Sequence, residues 1–365
     1  MGDAHRIGVI GLGVISRAYL DTLVGRSAVR VTAVADLDAS RSAAVAAELP
    51  GVQALSVEEL LAAPDVDTVL NLTVPAAHAE IALGAVSHGK NVYGEKPLAA
   101  ELTAARGVLE AAEKAAVGVG CAPDTVLGTG VQTARAAVDA GAVGRPLFAS
   151  AAMVTPGHER WHPQPDFYYT AGGGPLLDMG PYYLSSLVHL LGPVRAVIGA
   201  SSRLRTERVI GSGPRAGERI PVEVDSHVSG VLEHEGGALT TITTSFDGVT
   251  TTAAPIEVHG ETGTLTVPDP NTFDGEVRLL ELGADQWRTL PPSAGYVGAA
   301  RGVGLLDFVA ADAQRPPRAS GELALHVLET MTALLRSSAE GRRIELSTSV
   351  GRPDPVPLTP PEKWR

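Results

Sequence analysis

Short apolar runs alternate with helix-spaced apolar positions through the first third of the chain. Ile7–Ile10, Val31–Ala35, Val69–Leu72, Asn91–Tyr93 and Val117–Cys121 read as strands. Between them, Val14–Val24, Ser40–Leu49, Glu58–Ala63, Ala77–His88 and Thr103–Ala115 carry helical spacing. Strands that alternate with helices require right-handed crossovers, so this stretch predicts an α/β layer with a doubly wound parallel sheet.

After Cys121 the pattern changes. Val131–Ala140 has helical spacing, with Gly141 and Gly144 as stop signals. Residues 153–174 are rich in Pro, His, Gly and aromatics, which predicts a structured loop of the kind that lines sites. An apolar helix follows at Leu184–Leu191, with its start placed near Leu177. Ser226, Val228, Gly230 and Leu232 then alternate with polar neighbours, and Ala238–Phe246 is Thr-rich and β-prone, with Glu235–Gly237 as a hairpin turn. Ile256–Val258 and Thr264–Val267 flank a second turn, and Val277–Leu282 adds another strand. Helices are predicted at Gly304–Ala313 and Gly321–Ala339, and an irregular Pro-rich tail from Arg352. The expectation is α/β followed by α+β, with one domain over residues 1–122 and a second, mostly antiparallel one over 123–365. The final helix and tail are candidates to pack back on the first domain.

Composition narrows the picture. A chain of 365 residues is comfortable for two cores, and 44% apolar with 19% charged residues is a globular balance. The formal net charge of −12 argues against nucleic acid and anionic membranes as partners, since both need a basic footprint. With one cysteine, Cys121, an internal disulfide is impossible, and a small buried apolar role fits it best. No signal-like N-terminus and no bilayer-length apolar run are visible, so the expected location is the cytoplasm.

Chemistry first shows in Gly11-Leu12-Gly13-Val14-Ile15-Ser16, which follows the first strand and opens the first helix. This is G-x-G-x-x-G with Ser16 in the third place. The first glycine allows a tight turn, the second lets a pyrophosphate approach the backbone, and a small residue suffices at the third for packing. The helix N-terminus offers N–H groups to the phosphates. Asp36 ends the second strand, where a carboxylate can accept ribose hydroxyls and repel a 2′-phosphate. These residues predict a dinucleotide-binding Rossmann domain that prefers NAD, with NADP left open because Arg41 could meet a 2′-phosphate.

Other candidates are less decisive by themselves. Glu95-Lys96-Pro97 follows a strand of the parallel sheet, at the edge where such sheets bind ligands, yet a lysine there can also be a solvated charge. Asp178 and Tyr182 share one face if a helix begins near Leu177, with Pro181 tolerable only in its first turn. A helix cap and a core aromatic explain them equally well. In the aromatic loop, Trp161 could stack on a sugar ring, His162 could exchange a hydrogen bond with a hydroxyl, and Tyr169 and His158 are further candidates, with ordinary loop packing as the rival. His158 and His162 have the spacing of helical metal ligands, but Gly157 and Pro163 argue against a helix, so no metal is expected. Asp124 is either a substrate contact or a helix cap.

Taken together, the glycine motif, Asn71-x-Thr73-x-Pro75-x-x-His78, Glu95-Lys96-Pro97 and the Gly172-Gly173-Gly174…Asp178-x-Gly180-x-Tyr182 segment resemble the Gfo/Idh/MocA family. The resemblance implies a second domain with a large open sheet used for oligomer contacts, hence a homodimer or homotetramer. It also implies hydride transfer between a nicotinamide and a carbinol or carbonyl carbon of a sugar, cyclitol or related polyol. Residue by residue, it makes Lys96 the catalytic lysine and Asp178 the substrate-positioning aspartate. Cofactor contacts are expected from Gly11, Gly13, Val14, Ile15, Asp36, Asn71, Thr73, Pro75, His78, Glu95 and Lys96, and substrate contacts from Asp124, Trp161, His162, Tyr169 and Asp178. Tyr182 stands where many members carry histidine, so the proton acceptor is a phenol helped by Lys96, or the lysine itself. Ala122-Pro123-Asp124-Thr125 also departs from an Asn-x-Arg pattern common in relatives, which implies different substrate recognition. Two alternatives stay open: a non-catalytic dinucleotide or metabolite sensor, and an enzyme for a non-sugar substrate of dihydrodiol or biliverdin type.

Overall fold

The structure, a computed structural model, describes residues 4–364 and divides into two compact units. The first comprises the chain up to Leu127 together with Tyr296–Leu325 and the segment from Thr359. The second comprises Gly128–Gly295 and His326–Leu358. Residues 123–127, read from sequence as the start of the second domain, thus lie in the first unit.

Six parallel strands form the sheet of the first unit: β1 (His5–Ile10), β2 (Val29–Ala35), β3 (Gln53–Ala54), β4 (Thr68–Asn71), β5 (Asn91–Gly94) and β6 (Val119–Cys121). Their order is β3-β2-β1-β4-β5-β6, so the winding reverses between β1 and β4. A crevice opens at such a reversal beyond the carboxyl ends of the strands, and that is where ligands bind. The central strands are continuous apolar runs because both faces are covered: Ile7, Val9, Val69 and Leu70 have no exposed surface. Strand β3 is only two residues long and leaves no periodic signal. The late helix Val303–Val309 is shorter than the pattern suggested. It supplies Phe308 to this unit, and a Cβ on Gly120 would stand 2.8 Å from the Phe308 ring and 2.6 Å from that of Tyr93. Leu305 and Ala319 belong to the same apolar cluster as Ile7, Val9 and Tyr93.

The second unit carries a nine-stranded sheet and a separate two-stranded ribbon. In chain order the strands are β7 (Pro146–Val154), β8 (Val194–Ser202), the ribbon β9 (Glu207–Val209) and β10 (Arg219–Pro221), β11 (His227–His234), β12 (Leu239–Ser245), β13 (Ile256–Gly260), β14 (Gly263–Val267), β15 (Val277–Glu281), β16 (Arg288–Leu290) and β17 (Ile344–Glu345). The large sheet runs β16-β15-β14-β13-β7-β12-β11-β8-β17, antiparallel except where β7 meets β12. Strands β7 and β8 escape the hydrophobic pattern. The buried positions of β7 are Ala149, Ala151 and Met153, which contrast weakly with their Ser and Ala neighbours.

Helices cover one face of this sheet. Pro175–Leu191 packs on β7, β11 and β12, and Thr129–Asp139 on β14 and β15. The segment His326–Glu340 comes so close that a Cβ on Gly199 would lie 2.2 Å from the Leu334 carbonyl oxygen. On the other face Phe148 stands opposite Leu239, and Val231 opposite Ile198. Phe148, Leu239 and Ile198 are each about half exposed. The helix carrying Asp178 begins at Pro175, not near Leu177, with proline at its first position, where the missing N–H costs nothing. Pro181 therefore sits inside the helix and not in its first turn, which corrects the sequence expectation.

Among the described residues no helix is long and apolar enough to cross a membrane, and no group of three or more His, Cys, Asp or Glu is placed to hold a metal ion.

Candidate dinucleotide and substrate sites

In the first unit the candidate residues gather at the carboxyl ends of β1, β2, β4 and β5. Gly11 has φ +93°, and a Cβ there would lie 2.7 Å from the carbonyl carbon and oxygen of Leu72. Only glycine fits this turn. Gly13 differs, because a Cβ would meet nothing within 4 Å. Its open side and the fully exposed Val14 leave the helix N-terminus accessible. Ser16 is buried and donates its hydroxyl to the Gly13 carbonyl at 2.7 Å, so serine closes the turn from within.

Asp36 locks this loop to the second strand. Its carboxylate accepts the Leu12 N–H at 2.7 Å and the Asp38 N–H at 2.9 Å. Arg41 stands 4.0 Å from the same carboxylate. An NAD-type dinucleotide fits what is present: a bare glycine turn at a helix N-terminus, and a carboxylate at the tip of β2 for ribose hydroxyls.

The loop after β4 is shaped by two buried side chains. The Asn71 amide donates to the His78 carbonyl at 3.0 Å, and its oxygen accepts the Thr73 hydroxyl at 2.7 Å. His78 places Nδ1 2.6 Å from the Pro97 carbonyl oxygen and Nε2 3.0 Å from that of Thr73. Both residues are 2% exposed. They brace the loop instead of lining it, and Thr73 and Pro75 are what the loop presents outward. The same histidine ties the peptide after Lys96 to this loop. Glu95 accepts the buried Tyr19 hydroxyl at 2.8 Å and the Lys96 N–H at 3.1 Å. Tyr19 lies in the first helix, and nothing in the pattern of that helix marks it as a partner for Glu95.

Asp124 is fully buried, which separates it from any substrate in this structure. Its carboxylate accepts N–H groups of Gly302 at 2.7 Å and Gly304 at 3.2 Å, with Arg301 at 3.7 Å. Burial pushes its pKa up to about 6, against the opposing pull of Arg301 and the two amides. Cys121 is also buried, and burial pushes its thiol up, which leaves it unreactive.

In the second unit Asp178 and Tyr182 lie one turn apart in the helix Pro175–Leu191, Asp178 in its first turn and Tyr182 6% exposed. The oxygen Oδ2 of Asp178 is 3.1 Å from His158 Nε2. Trp161 is 59% exposed, 5.2 Å from the His158 ring and 5.4 Å from His162. Those two residues stay near the surface. Tyr169 does not: it has no exposed area, donates its hydroxyl to Glu159 and lies under the Arg208 guanidinium. It is a core residue of the loop and not a lining one. The His158–Asp178 contact escapes sequence reasoning because the two residues are brought together only by a turn that local pattern does not reveal.

Comparison with known proteins bears on both units. Residues 5–122 match the description "Oxidoreductase family, NAD-binding Rossmann fold", and residues 131–266 match the GFO/IDH/MocA C-terminal domain. A 1,5-anhydro-D-fructose reductase of Ensifer adhaerens is 30% identical over 95% of this chain and 100% of its own length. The chain belongs to the Gfo/Idh/MocA family.

Within that family, an inositol 2-dehydrogenase of Saccharopolyspora erythraea is 29% identical over 81% of this chain and 78% of its own. Among solved structures, an NAD binding oxidoreductase from Klebsiella pneumoniae superposes with a TM-score of 0.81 at 24% identity, covering 95% of this chain and all of that one. This Gfo/Idh/MocA member is thus an NAD-binding oxidoreductase with the expected Rossmann sheet followed by a mixed sheet.

Proposed function

We propose that this oxidoreductase is a dehydrogenase or reductase acting on a CH–OH carbon of a sugar, cyclitol or closely related polyol, with NAD preferred over NADP. The observation that carries the reading is the position of Lys96. It follows β5 on the edge of the sheet that holds the glycine turn, and the next carbonyl is tied through His78 to the loop after β4. A lysine whose backbone is held beside a dinucleotide loop is suited to a hydroxyl that loses its proton as its carbon loses hydride. The names of the relatives, an anhydrofructose reductase and inositol dehydrogenases, point to the same substrate class.

When bound, the nicotinamide supplies the hydride chemistry. The chain's own residues supply the rest. Lys96 stabilises the oxygen as its proton leaves. Tyr182 is the acceptor or relay for that proton. Asp178 accepts a second hydroxyl and fixes which carbon is presented, and Trp161 and His162 border the substrate. Asp36 holds the ribose hydroxyls and disfavours a 2′-phosphate.

The test is nicotinamide absorbance on purified protein, with NAD and NADP in parallel, across sugars, sugar acids and cyclitols. Turnover with one polyol class, faster with NAD, is the expected result. Tight dinucleotide binding without turnover on any of them would overturn the reading in favour of a sensor or a non-sugar substrate.

The outer face of the large sheet, where Phe148 stands opposite Leu239 and, two residues along, Val231 opposite Ile198, serves as the contact between copies in a homodimer or homotetramer. A patch of this kind on a sheet face is costly to leave in water. Light scattering of the purified protein should give two or four chain masses, and a single chain mass at micromolar concentration removes this part of the proposal.

A further inference from the structure

We infer that His158 is a positioning residue for Asp178, fixing the plane of the carboxylate that is to take a substrate hydroxyl. The inference rests on the proposed role of Asp178 in substrate binding. A carboxylate torsion is broad and two-fold, so an unsupported aspartate offers either oxygen at many angles. Here Oδ2 lies 3.1 Å from His158 Nε2, with the two side chains only 12% and 18% exposed. A charge-assisted bond in such a place fixes the carboxylate plane.

The histidine is itself held. Its ring centroid is 4.6 Å from Phe246, 4.7 Å from Tyr168 and 5.2 Å from Trp161. The turn beneath it rests on a buried ion network. Glu159 is 4% exposed, accepts the Tyr169 hydroxyl and lies 3.4 Å from Arg208. Arg208 reaches Asp247 at 2.6 Å and the Phe246 carbonyl at 3.0 Å. Gly157, with φ +104°, leads into the turn, and a Cβ there would lie 2.1 Å from a Glu159 carboxylate oxygen. A buried guanidinium with two carboxylates is costly to assemble. Here it fixes the turn that aims one imidazole at one carboxylate oxygen.

The experiment uses His158→Gln, His158→Leu, Asp178→Asn and the double variant His158→Leu with Asp178→Asn. The first readout does not depend on turnover. Ring ¹⁵N spectra, with His158 assigned by its loss in His158→Gln, should show an Nε2-protonated ring whose shift moves in Asp178→Asn. The second is steady-state kinetics with the polyol identified by the substrate panel. His158→Leu should lower kcat/KM about 10- to 100-fold, the loss expected for a hydrogen bond to a charged group. Glutamine can donate to the same oxygen and should return kcat/KM to within about threefold of the parent. The double variant should be no worse than Asp178→Asn alone.

An unshifted ring signal in Asp178→Asn overturns the inference, as do fully multiplying kinetic losses or a glutamine variant as poor as leucine. Absence of polyol turnover by the parent protein sinks the functional reading instead, and the ring spectra still decide the pairing.

Discussion

Lys96→Ala is expected to lower kcat/KM by about 10²- to 10⁴-fold, the range that a positioned acid–base group contributes, while dinucleotide affinity changes by no more than about threefold. The asymmetry follows from where the lysine is held. Its backbone is fixed on both sides by others, through Glu95 to the Tyr19 hydroxyl and through the Pro97 carbonyl to His78. Removing its side chain therefore leaves the glycine turn, Asp36 and the β4 loop in place. Steady-state rates alongside NADH fluorescence titration separate the two effects. Lys96→Arg should recover little, because a planar fork does not replace a compact ammonium at one oxygen. Full turnover by the alanine variant would remove Lys96 from the chemistry, and lost NADH binding would recast it as a cofactor ligand.

Gly11 and Gly13, two residues apart in one turn, should behave oppositely. Gly11→Ala places a methyl 2.7 Å from the Leu72 carbonyl, at a residue whose φ is +93°. Neither partner is a flexible side-chain tip, so the loop or the strand must move. A strained left-handed residue alone costs about 1–3 kcal/mol, and the backbone clash adds to it, so a total near 3 kcal/mol or more is expected. Gly13→Ala meets nothing within 4 Å and should fold with the parent Tm. Its methyl instead occupies the open side where a pyrophosphate approaches, so NAD affinity should fall about tenfold or more. Thermal melts and NAD titrations on both variants check this. Equal melts for the pair would show that the β1 turn relaxes easily, and unchanged NAD binding by Gly13→Ala would move the pyrophosphate elsewhere.

Much of the first unit was legible in the chain because its strands are buried on both faces and separated by helices of clear period. Strand ends and helix starts such as Ile10, Asn71 and Ser16 fell within two or three residues of expectation. The second unit was harder. Strand β7, in the middle of the large sheet, has buried positions filled by alanine and methionine, so alternation carries little contrast. Strand β8 pairs with β11 across a register irregularity that also blurs period.

Site residues divide in the same way. The tight turn at Gly11 was readable because its geometry is local, and Asp36 because it ends the strand beside that turn. Asn71 and His78 were read as cofactor contacts, but their hydrogen bonds go to the loop they shape. Asp124 and Tyr169 were read as substrate contacts, yet burial commits them to Arg301 and to Glu159. Such partners lie far along the chain, and no spacing rule announces them.

The late segments of the first unit have a consequence for how this protein is made. In its last strand the Cys121 N–H donates to the Ala319 carbonyl, and Gly120 bridges to Ser320. Phe308 fills the space over Gly118 and Gly120, and the Gly302–Gly304 turn is clasped by Asp124. While a ribosome is still translating the second sheet, the nascent N-terminal half lacks these pieces and cannot close its core. The dinucleotide site must therefore mature near the end of synthesis, after the intervening unit has emerged.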